Sequence, residues 1–110
     1  MADSGYWDIG SDQTLSFTLY DGDDELLLGA TVTGNMFLGD SAGNTTGLKL
    51  ITNDVTFTES TGVYAGVKPA ALSLSYGLWY VWVLTVTGAD ASVAVLRDAR
   101  KANYIRPISG

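Results

Sequence analysis

Short segments in which polar and apolar residues alternate recur along almost the whole chain. The clearest is residues 13–20, where Leu15, Phe17 and Leu19 share one face and Thr, Ser and Tyr residues occupy the other. This alternation is typical of a β-strand with one buried face. Turn-forming residues separate the segments at regular intervals, and no convincing amphipathic helix interrupts them. The pattern therefore predicts an all-β sandwich or barrel.

Seven or eight strands are predicted, and the most apolar of them, residues 78–87, is expected at the centre of a sheet. Residues 48–51 and 55–58 are expected to form a hairpin, because only a short polar stretch separates them. Gly34 interrupts another alternating segment and predicts a bulge or a bend. A helical turn is expected at residues 97–102. Besides residues 13–20, the predicted strands are residues 30–38, 48–51, 55–58, 63–67, 78–87, 92–96 and 103–108.

The composition narrows the chemistry that the chain can perform. A length of 110 residues suits a single domain, residues 1–110, from which the termini could extend. The chain has no histidine and no cysteine, so it lacks the commonest general base, the thiol nucleophile and the two commonest zinc ligands. We therefore expect a protein that is not an enzyme and that needs no cofactor and no metal ion.

Charge and hydropathy limit the partners that the chain is expected to bind. A net charge of −6 argues against nucleic acid, and no apolar run reaches the roughly 20 residues of a membrane helix. The first residues lack the basic start and the apolar stretch of a signal peptide, so we expect assembly in a cytoplasm. Charged residues make up only 16% of the chain, which indicates that part of its surface is covered in use.

Acidic and basic residues are concentrated in different parts of the sequence. Seven of the twelve acidic residues lie in the first quarter, and four of the six basic residues lie between residues 97 and 106. This asymmetry fits either neighbouring edges of one sandwich or head-to-tail contacts between copies of the chain. The acidic cluster at residues 21–25 lacks the ligand spacing of an EF-hand loop, so we expect a solvated turn there rather than a calcium site.

Three large aromatic residues, Trp79, Tyr80 and Trp82, lie within one predicted strand. Trp79 points to one face of that strand, whereas Tyr80 and Trp82 point to the other. A sandwich strand needs only one buried face, so the second is covered either by loops of the same chain or by another molecule. Exposed aromatic rings would also suit stacking on sugar rings. Including residues near both termini, the candidate partner-binding residues are Tyr6, Trp7, Tyr80, Trp82, Arg97, Arg100, Lys101, Tyr104 and Arg106.

Residues 72–81 resemble the start of strand F in immunoglobulin-like domains, where a small polar corner and a glycine precede an aromatic residue. By this match Trp79 takes the aromatic position, and Val81 takes the place that antibody domains give to a cysteine. The resemblance implies an immunoglobulin-like antiparallel sandwich. It departs from the antibody type, because the cysteine pair is missing.

The wider layout resembles the immunoglobulin-like domains of tailed-phage virion proteins. It combines an early strand rich in threonine and leucine, an acidic turn, a Gly-Ala-Thr-Val-Thr strand, a Thr-Gly-Val-Tyr turn and a late Gly-x-Trp strand. Similar layouts occur in capsid decoration (cement) proteins and in the N-terminal domains of baseplate upper proteins. The resemblance implies a virion component that is assembled in the host cytoplasm and binds the major capsid protein or other virion proteins.

Capsid decoration is the function that we expect, because the chain is one short domain without a second module. We expect the protein to act as a homo-oligomer or in another multi-copy assembly. One alternative is a tail or baseplate module that binds a carbohydrate or a receptor. Another is a component of a tail tube or neck, which would form rings.

Overall fold

The computed structural model describes residues 5–104, and within that range the chain forms nine β-strands and no helix. Accordingly, no helix that is long and apolar enough to cross a membrane occurs in this range. The strands are β1 (Trp7–Ile9), β2 (Gln13–Thr18), β3 (Thr31–Gly39), β4 (Thr45–Lys49), β5 (Val55–Thr56), β6 (Thr58–Ser60), β7 (Val63–Lys68), β8 (Trp79–Thr87) and β9 (Val93–Tyr104).

The strands form two sheets that pack face to face as a sandwich, which confirms the predicted all-β class. The larger sheet has the order β1-β9-β8-β3-β4, with β5 also paired to β3, and the smaller sheet has the order β2-β7-β6. This division of the strands between two sheets is that of an immunoglobulin-like sandwich.

Two details of the sheets differ from the sequence prediction. The sandwich is not wholly antiparallel, because β1 runs parallel to β9, with Trp7 beside Ala102. The strand count within residues 5–104 also exceeds seven or eight. The reason is that β1 and β6 have three residues each, which is too short for alternation to be visible in the sequence.

The hairpin predicted from residues 48–51 and 55–58 does not form, because β4 and β5 both pair with β3. The buried side chain of Asn35 holds the chain between these two strands. Its amide nitrogen donates to the carbonyl of Ile51 at 2.7 Å and to Asp54 Oδ1 at 2.8 Å, and its oxygen accepts from the amide of Ile51 at 3.0 Å. One polar side chain therefore replaces the backbone ladder that a hairpin would have formed.

Trp82 lies at the centre of the core and is fully buried. Its ring centroid lies 6.3 Å from that of Trp7 in β1 and 6.2 Å from that of Phe57, the residue that links β5 of the larger sheet to β6 of the smaller sheet. Gly34 faces this indole, and β3 pairs with β8 through Gly34 without a register shift. The predicted bulge is therefore wrong. The glycine is needed because a Cβ atom there would lie 2.8 Å from Trp82 Nε1.

Tyr80 forms the corner that precedes strand F in immunoglobulin-like domains. It is 4% exposed, and its hydroxyl accepts a hydrogen bond from the amide of Ser75 at 2.9 Å. Trp82 lies two residues later, at the position that antibody domains give to cysteine, and its side chain faces the opposite sheet. The sequence assignment of Trp79 and Val81 to these positions was therefore one residue out of register.

The helical turn predicted at residues 97–102 does not form, because β9 is one continuous strand of 12 residues. It pairs with β8 without interruption from Trp79 beside Lys101 to Thr87 beside Val93. Pairing with a long apolar neighbour overrides the weak local signal of a polar segment. On its other edge, within residues 5–104, β9 pairs with β1 alone, at Ala102–Tyr104.

Candidate functional site

An open groove lies at the end of the sandwich where β2 and β8 finish. Its walls come from the β2–β3 loop (residues 19–30) and the β8–β9 loop (residues 88–92), together with the start of β9. We call this cavity of about 550 Å³ the loop-end groove. Loops at one end of a β-sandwich stand on a rigid scaffold and are a common position for binding sites. The residues that line the groove include Tyr20, Asp21, Leu28, Val86, Asp90 and Val93.

Three apolar side chains beside the groove are largely exposed. Tyr20 is 60% exposed, Leu28 is 57% exposed and Val93 is 63% exposed, whereas Val86 is buried. Apolar groups gathered beside a cavity form a surface that gains free energy when another molecule covers it. The groove therefore offers a docking surface.

The β2–β3 loop is shaped by Asp21. Its carboxylate accepts hydrogen bonds from the amides of Asp23 at 2.8 Å and Glu25 at 3.1 Å, and Asp24 has a left-handed backbone with φ 59°. An aspartate that accepts from the amide two residues later is a common turn-forming device. In residues 5–104, no group of three or more acidic side chains is arranged to hold a metal ion.

The β8–β9 loop is shaped in the same way by Asp90. Its Oδ1 accepts from the Ser92 hydroxyl at 2.6 Å and from the Ser92 amide at 3.1 Å. These two hydrogen bonds lower the pKa of Asp90, since they favour the ionised carboxylate. Asp21 and Asp90 thus place a carboxyl group on each loop beside the groove, and acidic side chains there suit a partner that carries basic residues beside apolar ones.

Three of the residues predicted to bind partners lie in the core. Trp7 and Trp82 are fully buried and Tyr80 is 4% exposed. Trp7 also donates its indole N–H to the carbonyl of Tyr80 at 2.9 Å, which fixes β1 to the sheet. The prediction was wrong for these three residues, because the face that Tyr80 and Trp82 share is the one covered by the smaller sheet.

The basic candidates are distributed along β9 and make separate local contacts. Arg97 donates from Nη1 to the carbonyl of Gly43 at 3.0 Å. Arg100 pairs with Asp98 at 2.7 Å and lies 4.5 Å from the centroid of a Trp7 ring. Lys101 Nζ lies 6.0 Å from the Trp79 ring centroid. These side chains do not converge on one basic patch, and Arg106 lies outside the described residues.

The two tyrosine candidates differ in their accessibility. Tyr6 is half-buried, and its backbone carbonyl accepts from Gln13 Nε2 at 3.0 Å. Tyr104 is 55% exposed and stacks on Tyr76, with ring centroids 6.1 Å apart and planes at 11°. This pair lies at the opposite end of β9 from the loop-end groove. Tyr104 is the one aromatic candidate that the structure places largely on the surface.

The residues of the loop-end groove were missed from the sequence, although one signal was present. Leu26, Leu27 and Leu28 follow directly after an acidic turn, and a strongly apolar run in a loop is unusual.

Comparisons with protein-family models, curated proteins and solved structures found no match to this chain.

Proposed function

We propose that this protein is a non-enzymatic capsid decoration protein of a tailed phage, which binds the assembled shell through the loop-end groove. The observation that carries the proposal is the groove itself, where Tyr20, Leu28 and Val93 are exposed between two loops that each carry an aspartate, Asp21 or Asp90. The partner is the major capsid protein, and the protein resides in the virion.

A docking surface of this size suits a multi-copy assembly. The exposed apolar side chains of one groove offer modest buried area, so one copy binds one coat subunit weakly. A shell presents many identical sites at fixed spacing. Linked or neighbouring copies then bind it far more tightly than they bind free subunits, because later binding events become effectively intramolecular.

The acidic residues beside the groove also indicate which charges the partner surface carries. Asp21 and Asp90 flank the apolar residues, and the whole chain carries a net charge of −6. The complementary coat surface is therefore apolar with basic residues around it. Binding should weaken as salt concentration rises, since exposed charge pairs are screened over roughly 10 Å at 0.1 M salt.

The test is co-sedimentation of the purified protein with shells and with dissociated coat subunits of the phage that encodes it. The variant Leu28→Asp should lose most shell binding, because it places a charge within the groove. Leu48→Asp is the matched control, since Leu48 is 88% exposed on β4, outside the groove. Equal affinity for shells and free subunits, or full binding by Leu28→Asp, would contradict the proposal.

A second candidate function is carbohydrate or receptor binding, and the exposed Tyr76–Tyr104 pair favours it. The two rings are stacked and are 59% and 55% exposed, so an aromatic surface is available for sugar stacking. A glycan array probed with the protein and with Tyr76→Ala tests this function. Saturable binding that Tyr76→Ala abolishes would support it, and the absence of binding would exclude it for the glycans on the array.

A further inference from the structure

We infer that β9 pairs edge to edge with β9 of a second copy of this chain, antiparallel about a two-fold axis at Val95, so that the two larger sheets become one. This inference is independent of the proposed function, because it concerns contacts between copies of the chain alone.

The first observation is that, among the described residues, no strand pairs with one edge of β9 over most of its length. One edge of the strand pairs with β8, and the other pairs with β1 only at Ala102–Tyr104. Within residues 5–104, no strand therefore covers the edge that runs from Val93 to Lys101. A strand edge of this length presents a row of backbone donors and acceptors that another strand can complete.

The hydrogen bonds at both ends of β9 show which residues direct their backbone groups to this edge. The carbonyl of Ser92 accepts from Gly88 at 2.8 Å, and the amide of Ala102 donates to Leu78 at 2.9 Å. Even-numbered residues thus bond towards β8. Backbone groups alternate between the two edges of a strand, so odd-numbered residues from Val93 to Lys101 direct theirs outward.

The second observation is that this edge begins with four apolar residues, which lack the usual protection. Val93, Val95 and Leu96 are 63%, 52% and 40% exposed. Natural edge strands are commonly protected by lysine, proline or a bulge. None of these occurs in residues 93–96, where the sequence is Val-Ala-Val-Leu and the pairing with β8 is regular.

The side-chain pattern favours one register. Opposite residues in an antiparallel pair share one face, and outward-bonding residues must meet each other. An axis at Val95 satisfies both conditions and places Ala94 opposite Leu96. An axis at Arg97 would place two arginines opposite each other, and an axis at Leu96 would place Asp98 opposite Ala94. An axis at Ala94 would pair Val93 with Val95, but it would also place Asp90 opposite Asp98. The Val95 axis places Val93 opposite Arg97, yet it keeps the three central pairs apolar and brings no like charges opposite each other.

The ends of the strand carry the charges that specify a second copy as the partner. Asp90 precedes β9, whereas Arg97 and Lys101 lie in its second half. When the strand is reversed against itself, the acidic end of each copy lies beside the basic half of the other. A strand that is acidic before its start, apolar at the axis and basic beyond it is complementary to itself in antiparallel pairing.

The first test measures solution mass by light scattering over a dilution series of the full chain. The edge contact is smaller than the roughly 1,200 Å² of a standard interface, so the dimer should dissociate on dilution. Val95→Lys should remain a monomer at every concentration that dimerises the wild type, while the control Leu48→Lys should dimerise normally. A wild type that stays monomeric, or a Val95→Lys variant that still dimerises, would overturn the inference.

The second test measures the register by disulfide cross-linking, since the chain contains no cysteine of its own. Val95→Cys places two thiols at the axis, within the roughly 7 Å that a disulfide permits between Cα atoms. Val93→Cys is the matched control, because its two copies would lie roughly 13 Å apart. We expect at least ten-fold faster oxidation to the dimer for Val95→Cys. Equal rates would refute this register, and pairing with a foreign strand would give no cross-link in the purified protein.

Discussion

Gly34 lies directly against the indole of Trp82 in the core, and Gly34→Ala tests this contact. An added Cβ atom would lie 2.8 Å from Trp82 Nε1 and 2.9 Å from both Cε2 and Cζ2. The indole cannot retreat easily, because it is fully buried between Trp7 and Phe57. Overpacking of a core costs about 1–3 kcal/mol of stability. Because the neighbouring indole is rigid, we expect Gly34→Ala to cost about 3 kcal/mol, at the upper end of this range.

The assay is thermal or urea unfolding of purified Gly34→Ala beside the wild type. A loss of about 3 kcal/mol lowers the Tm of a domain of about 100 residues by about 12–24 °C. Gly22→Ala is the matched control, because Gly22 has an ordinary backbone φ and nothing lies within 4 Å of an added Cβ atom. That variant should unfold within a few degrees of the wild type.

A double-mutant cycle with Trp82→Phe separates the steric clash from a change in strand propensity. The smaller ring gives the added methyl group room, so Gly34→Ala should cost at least about 1 kcal/mol less in the Trp82→Phe background. An unchanged cost in that background, or a Gly34→Ala variant as stable as the wild type, would refute the steric explanation.

Three further changes test other contacts by urea unfolding. Tyr80→Phe removes the acceptor for the Ser75 amide and should cost about 1–2 kcal/mol; a smaller loss would show that the corner is dispensable. Asn35→Ala should cost about 2–4 kcal/mol, because the Ile51 backbone groups lose their partner; wild-type stability would contradict this. Burial lowers the pKa of Lys68 from its usual 10.5, against the opposing effect of two nearby carboxylates. The unfolded chain therefore keeps this proton to higher pH, so wild-type stability relative to Lys68→Met should rise as pH approaches 10.5. A constant difference would exclude this linkage.

The sequence predicts the strands that have one buried face and misses those whose pairing is decided by distant neighbours. Residues 13–18 alternate because the larger sheet covers one side of β2, so alternation alone places this strand. In β9, Arg97, Asp98, Arg100 and Lys101 carry no such signal, because most of its side chains are exposed or half-buried. Only the pairing with β8 makes this segment a strand.

The assignment of faces in β8 shows a second limit. Alternation separates Trp79 and Val81 from Tyr80 and Trp82, but both sets are large and apolar. The sequence therefore cannot indicate which set the smaller sheet covers. In the structure Val81 is buried as well, on the face opposite the main core. Burial on both faces of one strand hides the signal that would have identified the core side.

The two proposed contact surfaces meet at the start of β9 and are nevertheless separable. Val93 lines the loop-end groove, whereas Val95, two residues later, lies outside the groove at the axis of the inferred dimer. Because the inferred pairing is antiparallel, the loop ends of the two copies face opposite directions along β9, so one dimer presents only one of its grooves to a shell. Val95→Lys should then bind shells about as tightly as the wild type, while Leu28→Asp removes binding at each groove. If Val95→Lys bound shells much more weakly than the wild type, the two surfaces would not be separable.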